Sequence, residues 1–239
     1  MYNGIINKIV KWLQDELAGT GTKGFVLGLS GGLDSSVCAA LIKKATPNCL
    51  GLILPIESQV QDIDDALAIA SDLNLKTQYI DLTPIYKNLI KLLPDNNLIT
   101  LGNLKARLRM IIIYYYANLN NYLVCGTGNK TEISIGYFTK YGDGACDILP
   151  LGDLYKYELR KLAKTLGIPE KIIKKVPSAG LWAGQTDEGE IGFSYGEIDK
   201  ALQEVEKGKV VGEIAQKLSA MIKNSEHKRR LPKICHLKR

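Results

Sequence analysis

The sequence predicts an α/β fold, an open parallel sheet flanked by helices, with a helical C-terminal region. Three observations carry this. Four short strand-like runs alternate with stretches of helical spacing. The first and fourth runs each end in a glycine turn. Strands separated by helices form βαβ units, which build a parallel sheet with helices on both faces.

Ile5 to Leu17 has apolar residues at helical spacing and opens the chain as an amphipathic helix. Phe25 to Leu29 follows a Gly/Thr loop and has the apolar continuity of a buried strand. After a glycine-rich turn, Ser35 to Lys44 is helical. Cys49 to Ile56 is a second strand. Asp62 to Leu73 is a helix with acids in its first turn, where the helix dipole favours them. Thr77 to Leu82 is a third strand and Pro84 to Leu93 a helix. Leu104 to Leu119 is a long helix, and Tyr122 to Gly126 a fourth strand.

Beyond Gly136 a polar loop leads to Pro150. Helices are expected at Tyr155 to Leu166, Glu170 to Lys175, Tyr195 to Glu206 and Val211 to Lys223. Pro177 to Gly192, rich in glycine and acids, reads as a mobile loop. No linker intervenes, so residues 1–239 are expected to be a single domain, divided into a core (1–136) and a C-terminal part (137–239).

With 46% hydrophobic and 23% charged residues, the composition excludes a disordered or fibrous chain. The most apolar stretch, Met110 to Ala117, is far short of the ~20 residues a membrane-spanning helix needs. Charges interrupt the N-terminal apolar residues, which argues against a signal peptide. Five scattered cysteines with no Cys-x-x-Cys favour a reduced, cytoplasmic setting. The net charge of +6 resides in Lys223 to Arg239, with seven basic residues and one acid. A neutral body with a basic tail is a poor footprint for nucleic acid and better suits one local anion; composition alone favours a simply solvated tail.

The strongest signal is Gly28-Leu29-Ser30-Gly31-Gly32-Leu33-Asp34-Ser35-Ser36, between a strand and a helix. Small residues let the backbone turn sharply, and free N–H groups at a helix start face an anion. Ser30, Ser35 and Ser36 add hydroxyl donors. The string is neither a Walker A loop nor Gly-x-Gly-x-x-Gly. Asp34 would repel phosphate unless a cation such as magnesium bridges them; the alternative is a plain helix cap.

Ser30 to Ser35 resembles the Ser-Gly-Gly-x-Asp-Ser loop of the N-type ATP pyrophosphatases, with Rossmann-like, adenine nucleotide alpha hydrolase-like sheets. Further strings narrow this. Gly102 to Met110, Gly126 to Glu132, Thr139 to Gly144, Asp147 to Leu151, Gly184 to Glu188 and His227 to Arg229 resemble, in order, motifs of the NAD synthetase family. The resemblance implies ATP-dependent amidation of nicotinic acid adenine dinucleotide (deamido-NAD) by ammonia through an acyl-adenylate; a chain of this length has no room for an amidase domain beside the synthetase body, so the ammonia is expected to be free or received from a separate partner.

The same resemblance implies residue roles. Gly28, Leu29, Ser30, Gly31, Gly32, Leu33, Asp34 and Ser35 would hold ATP, with Thr127, Lys156 and Ser178. Leu33 stands where many relatives have Gln, and Ser178 where the family usually has Thr. Asp34 and Glu132 would bind magnesium. Arg107, Lys140, Asp147, His227 and Lys228 would contact deamido-NAD. Asp34, Lys156 and Asp147 form the catalytic set, Asp147 attracting ammonium or guiding its deprotonation. Met110 to Tyr116 would form much of a homodimer interface.

Simpler readings stand beside these. Glu132 can be a first-turn acid, Lys140 and Lys156 solvated, Arg107 a half-buried partner in a salt bridge, and Met110 to Tyr116 core. The rival functions are a tRNA thiolation enzyme and a non-catalytic nucleotide-binding module.

Overall fold

The computed structural model describes residues 2–94, 97–182 and 184–237. The chain opens with α1 (Tyr2–Thr20), β1 (Gly24–Gly28), α2 (Leu33–Ala45), β2 (Cys49–Ile53), α3 (Val60–Asp72) and β3 (Lys76–Tyr79). There follow α4 (Thr83–Ile90), α5 (Leu98–Asn120), β4 (Tyr122–Val124) and α6 (Lys130–Ile135). The C-terminal helices are α7 (Lys156–Leu166), α8 (Glu170–Ile173), α9 (Asp187–Ile191), α10 (Tyr195–Glu206) and α11 (Glu213–Asn224), then a 3-10 turn, Glu226–Lys228.

The four strands form one parallel sheet in the order β3-β2-β1-β4. Side chains alternate across it. Phe25, Leu27, Cys49 and Ile53 face a core built with α1, α2, α3 and α7. Val26, Leu50, Leu52 and Val124 face the opposite core, built with α4 and α5. Chain order reverses between β1 and β4, so their carboxyl ends diverge into separate loops and leave a crevice. Beyond β4, Cys125 pairs with Ile148 in an isolated parallel bridge that carries residues 146–148 to the sheet edge.

Strands β2, β3 and β4 are shorter than the runs expected for them. Leu54 and Ile56, expected in the second strand, are buried outside it. The segment Pro177 to Gly192 is only partly the loop expected. Its second half is α9, capped by the Thr186 side chain on Gly189 N–H, with acids in its first turn. Gln185, Asp187 and Ile191 are buried, so this half is packed.

Helix α5 shows that Met110 to Tyr116 is not simply core. Leu108, Ile112 and Tyr116 pack on the sheet. Ile111, Tyr115 and Leu119, spaced by four along one stripe, remain 56%, 61% and 64% exposed. The basic stretch is not wholly a solvated tail either. Arg229 donates to Ile133 O and Ile222 O and to Ser225 Oγ. Gly136, with φ +72°, permits this docking, because a Cβ there would lie 2.1 Å from Ser225 Cβ. Lys238 and Arg239 lie outside the described residues. No helix among the described residues is long and apolar enough to cross a membrane.

Candidate active site

The glycine loop leaves β1 at its carboxyl end. Leu29 and Leu33 are buried in the core, so they anchor the loop's ends and can offer a ligand only backbone. Between them Gly31 takes φ +74°. The Ser30 and Ser35 hydroxyls lie 3.0 Å apart, and Gly32 N–H donates to Ser30 Oγ. Ser36, expected to face a ligand, is fully buried and donates back to Gly32 O at 2.7 Å. Gly32 occupies the cap position of α2. Asp34 therefore lies inside the first turn, and the plain-cap reading of it does not hold.

The loop after β4 supplies the facing group. Asn129 caps α6 through a reciprocal box with Glu132: its side chain accepts Glu132 N–H at 3.0 Å, and the Glu132 carboxylate accepts Asn129 N–H at 3.3 Å. The fully buried Asn129 also donates from Nδ2 to Asp34 Oδ2 at 2.6 Å. The two loops are thereby tied together. Lys156, at the start of α7, completes the cluster, with Nζ 2.7 Å from Asp34 Oδ1 and 3.0 Å from Glu132 Oε1.

This ammonium is 6% exposed. Burial alone would depress its pKa, but Asp34 and Glu132 outweigh that and hold it above the ordinary lysine range. Burial, the largest influence, pushes Glu132 up to about 8, against the pull of Lys156 and with the push of Asp34. Tyr195 stacks its ring 4.9 Å from Lys156 Nζ and donates to Asp187 Oδ2 at 2.9 Å. Tyr137 donates to Asp187 at 3.2 Å and to Glu190. Burial raises Asp187 above the usual carboxylate range.

Thr127 is half-buried in the β4–α6 turn. Ser178 is exposed and accepts Gly180 N–H at 3.1 Å; the preceding Pro177 O accepts Asp187 N–H, which seats this segment beside the cluster.

A second group gathers along α5. Arg107 is exposed rather than half-buried, and no carboxylate among the described residues pairs with it; it donates to Lys140 O at 3.3 and 3.4 Å. Lys140 Nζ donates to His227 O at 2.6 Å. Lys228 is turned away onto Gly136 O and Phe138 O, both at 2.8 Å. One turn-pair along α5 from Arg107, Tyr114 donates to Asp147 Oδ1 at 3.1 Å, while Asp147 Oδ2 accepts Val124 N–H at 2.7 Å. Asp147 is thus fixed at the carboxyl end of β4. Arg109 is not at the site: it donates to Leu54 O, and burial lowers it to about 10.

Sequence reasoning missed Asn129, Asp187 and Tyr195. Asn129 had a local signal, Asn-x-x-Glu before a helix. Asp187 lay inside the Gly184 to Glu188 string, to which no residue role had been attached, and Tyr195 had no signal.

The family model described as NAD synthase matches residues 5–232. The chain belongs to the NAD synthase family. It is 47% identical to the NH3-dependent NAD+ synthetase of Carboxydothermus hydrogenoformans over 95% of each chain. Among solved structures, NMN synthetase from Francisella tularensis matches with a TM-score of 0.92 and 41% identity, covering 99% of both chains. NH3-dependent NAD synthetase from Campylobacter jejuni, in complex with the nitrate ion, matches at 0.87 and 35%, again covering 99% of both.

Proposed function

We propose that this NAD synthase family member is an ammonia-dependent ligase that converts deamido-NAD to NAD, releasing AMP and pyrophosphate. The observation that carries this is the convergence of the glycine loop, Asp34, Glu132 and Lys156 at the carboxyl ends of β1 and β4, together with the family relation.

ATP phosphates lie along Gly28 to Ser35, with Thr127 and Ser178 at the rim. Asp34 and Glu132 would hold a magnesium ion. The donor set fits it: two hard carboxylate oxygens already converge on one cation, the Lys156 ammonium, and magnesium takes the rest of its ligands from phosphate and water. When bound it would neutralise charge on the polyphosphate. Lys156 can turn from the carboxylates to the phosphates, following the charge that develops on the departing pyrophosphate.

Arg107, Lys140, His227 and Lys228 contact the deamido-NAD, Lys228 after leaving its carbonyl partners. A nicotinate carboxylate oxygen attacks the α-phosphorus of ATP and the bond to pyrophosphate breaks. Ammonia then adds to the acyl carbon, AMP departs with the original carboxylate oxygen, and a proton is released. Asp147, its orientation fixed by Tyr114 and Val124, is placed to attract ammonium. The Ser178 to Gly180 segment and the basic tail close over the adenylate.

The exposed Ile111, Tyr115 and Leu119 stripe supports a homodimer built on α5. Residues 1–239 work as one synthetase domain, with 1–136 as the ATP-pyrophosphatase core. The five free thiols support a cytoplasmic setting.

The Francisella neighbour favours a second reading, amidation of nicotinic acid mononucleotide to NMN. An end-point assay with ATP, magnesium and ammonium, offering each acceptor in turn, separates the two. Amide product equal to pyrophosphate with deamido-NAD, and none without ammonium, supports the first. Turnover of the mononucleotide alone supports the second.

A further inference from the structure

Lys175 follows α8 and reaches back to the glycine loop. Its ammonium donates to Gly31 O at 3.2 Å and lies 2.7 Å from Asp65 Oδ2 and 2.8 Å from Asp62 Oδ1. Asp62 and Asp65 belong to the first turns of α3. Asp65 is 5% exposed and also receives Lys171 at 3.1 Å and Gln61 at 3.0 Å. Three acceptors take the three N–H bonds of Lys175, and two lysines balance two aspartates. Such an ammonium is not offered to an anion. Its unusual partner is the Gly31 carbonyl.

Gly31 is the residue of the loop with left-handed backbone, at φ +74°. It is pressed on α3 so closely that a Cβ would lie 2.4 Å from Asp62 O. In a planar trans peptide the carbonyl and the following N–H point in opposite directions. Holding Gly31 O against Lys175 therefore aims the Gly32 N–H at the loop interior, where it meets Ser30 Oγ. A carbonyl turned inward would repel phosphate. Lys175 also stands three residues before Ser178, and Gly180 passes Asp62, so the same clamp anchors the base from which the exposed Ser178 to Gly180 segment closes.

We infer that Lys175, held by Asp62 and Asp65, is a positioning residue for ATP: it locks the Gly31–Gly32 peptide in the orientation that presents backbone N–H groups to phosphate. This rests on the ATP reading of the glycine loop.

The test is calorimetric binding of magnesium and α,β-methylene ATP, which resists cleavage at the reacting bond, to the wild-type protein and to Lys175→Met and Asp62→Asn. Asp62 is partly exposed and gives a second variant if Lys175→Met folds poorly. The clamp predicts weaker binding by about tenfold in both variants, with KM for the pyridine substrate unchanged and ATP KM raised. A lysine that touched phosphate directly would be freed by Asp62→Asn, so tighter binding in that variant overturns the proposal, as does unchanged affinity in either. A wild-type protein that fails to bind the analogue overturns the ATP reading together with the clamp; wild-type binding with unaltered variants overturns the clamp alone.

Discussion

Lys156 and Asp34, 122 residues apart in the chain, meet at 2.7 Å through a nearly buried ion pair. The contact joins the first helix after β1 to the first C-terminal helix, and Glu132 from the loop after β4 closes it at 3.0 Å. One ammonium thus organises three separate segments around the crevice.

Removing that ammonium leaves the nearly buried Asp34 carboxylate facing Glu132 without a cation. Lys156→Met is expected to lower stability by about 3 kcal/mol and kcat/KM by at least ~100-fold. Thermal unfolding and steady-state rates check both. A variant of wild-type stability would contradict the structural part.

Asp34→Asn retains the size of the side chain and removes one negative charge. It is expected to reduce kcat by about 100-fold and to raise the magnesium concentration needed for half-maximal rate. A magnesium titration of turnover measures this. An unchanged midpoint would contradict the proposed role of Asp34 in holding magnesium.

Glu132 gives a pH dependence. Burial lifts it to about 8 in the folded protein from an ordinary 4.5. Between those values the fold binds a proton that the unfolded chain has released. The associated stability is therefore full below pH 4.5 and is lost as pH rises through about 8. With a chelator present, the gap in melting temperature between wild type and Glu132→Gln should change steadily from pH 5 to 8.5, the variant gaining on wild type as pH rises. Parallel profiles would contradict the shift.

The exposed stripe of α5 predicts self-association. Tyr115→Glu places a charge in its centre and should convert a dimer to a monomer in sedimentation velocity at micromolar concentration. A wild-type protein that is monomeric there would contradict the interface.

What was legible in the sequence is what is local. The glycine loop is contiguous, its small residues and flanking strand and helix are adjacent, and the structure places it at a strand end. Strand and helix order followed from periodicity. Partners distant in sequence were not legible. Tyr195 reaches Asp187 eight residues back in the chain, yet both come to Lys156 only because α10 packs on α6 and α7 through Ile135, Tyr155, Ile198 and Leu202. Helix α9 was hidden by the glycines around it, which resemble a loop until the Thr186 cap is recognised. Lys105 and Arg109, on the apolar helix, are the cations turned inward: Lys105 takes Glu57 at 3.1 Å and Leu181 O at 3.0 Å and Arg109 donates to Leu54 O, while Arg107 between them stays exposed. Composition cannot distinguish three cations on one helix; only the neighbouring segments do.

The most direct test follows the oxygen. Deamido-NAD labelled with heavy oxygen in its nicotinate carboxylate is incubated with ATP, magnesium, ammonium and the enzyme, and the products are read by mass spectrometry. Attack of that carboxylate on the α-phosphorus predicts NAD together with AMP carrying one heavy oxygen, and unlabelled pyrophosphate. NAD formed alongside unlabelled AMP would contradict the adenylate, and with it the role assigned to the site around Asp34, Glu132 and Lys156.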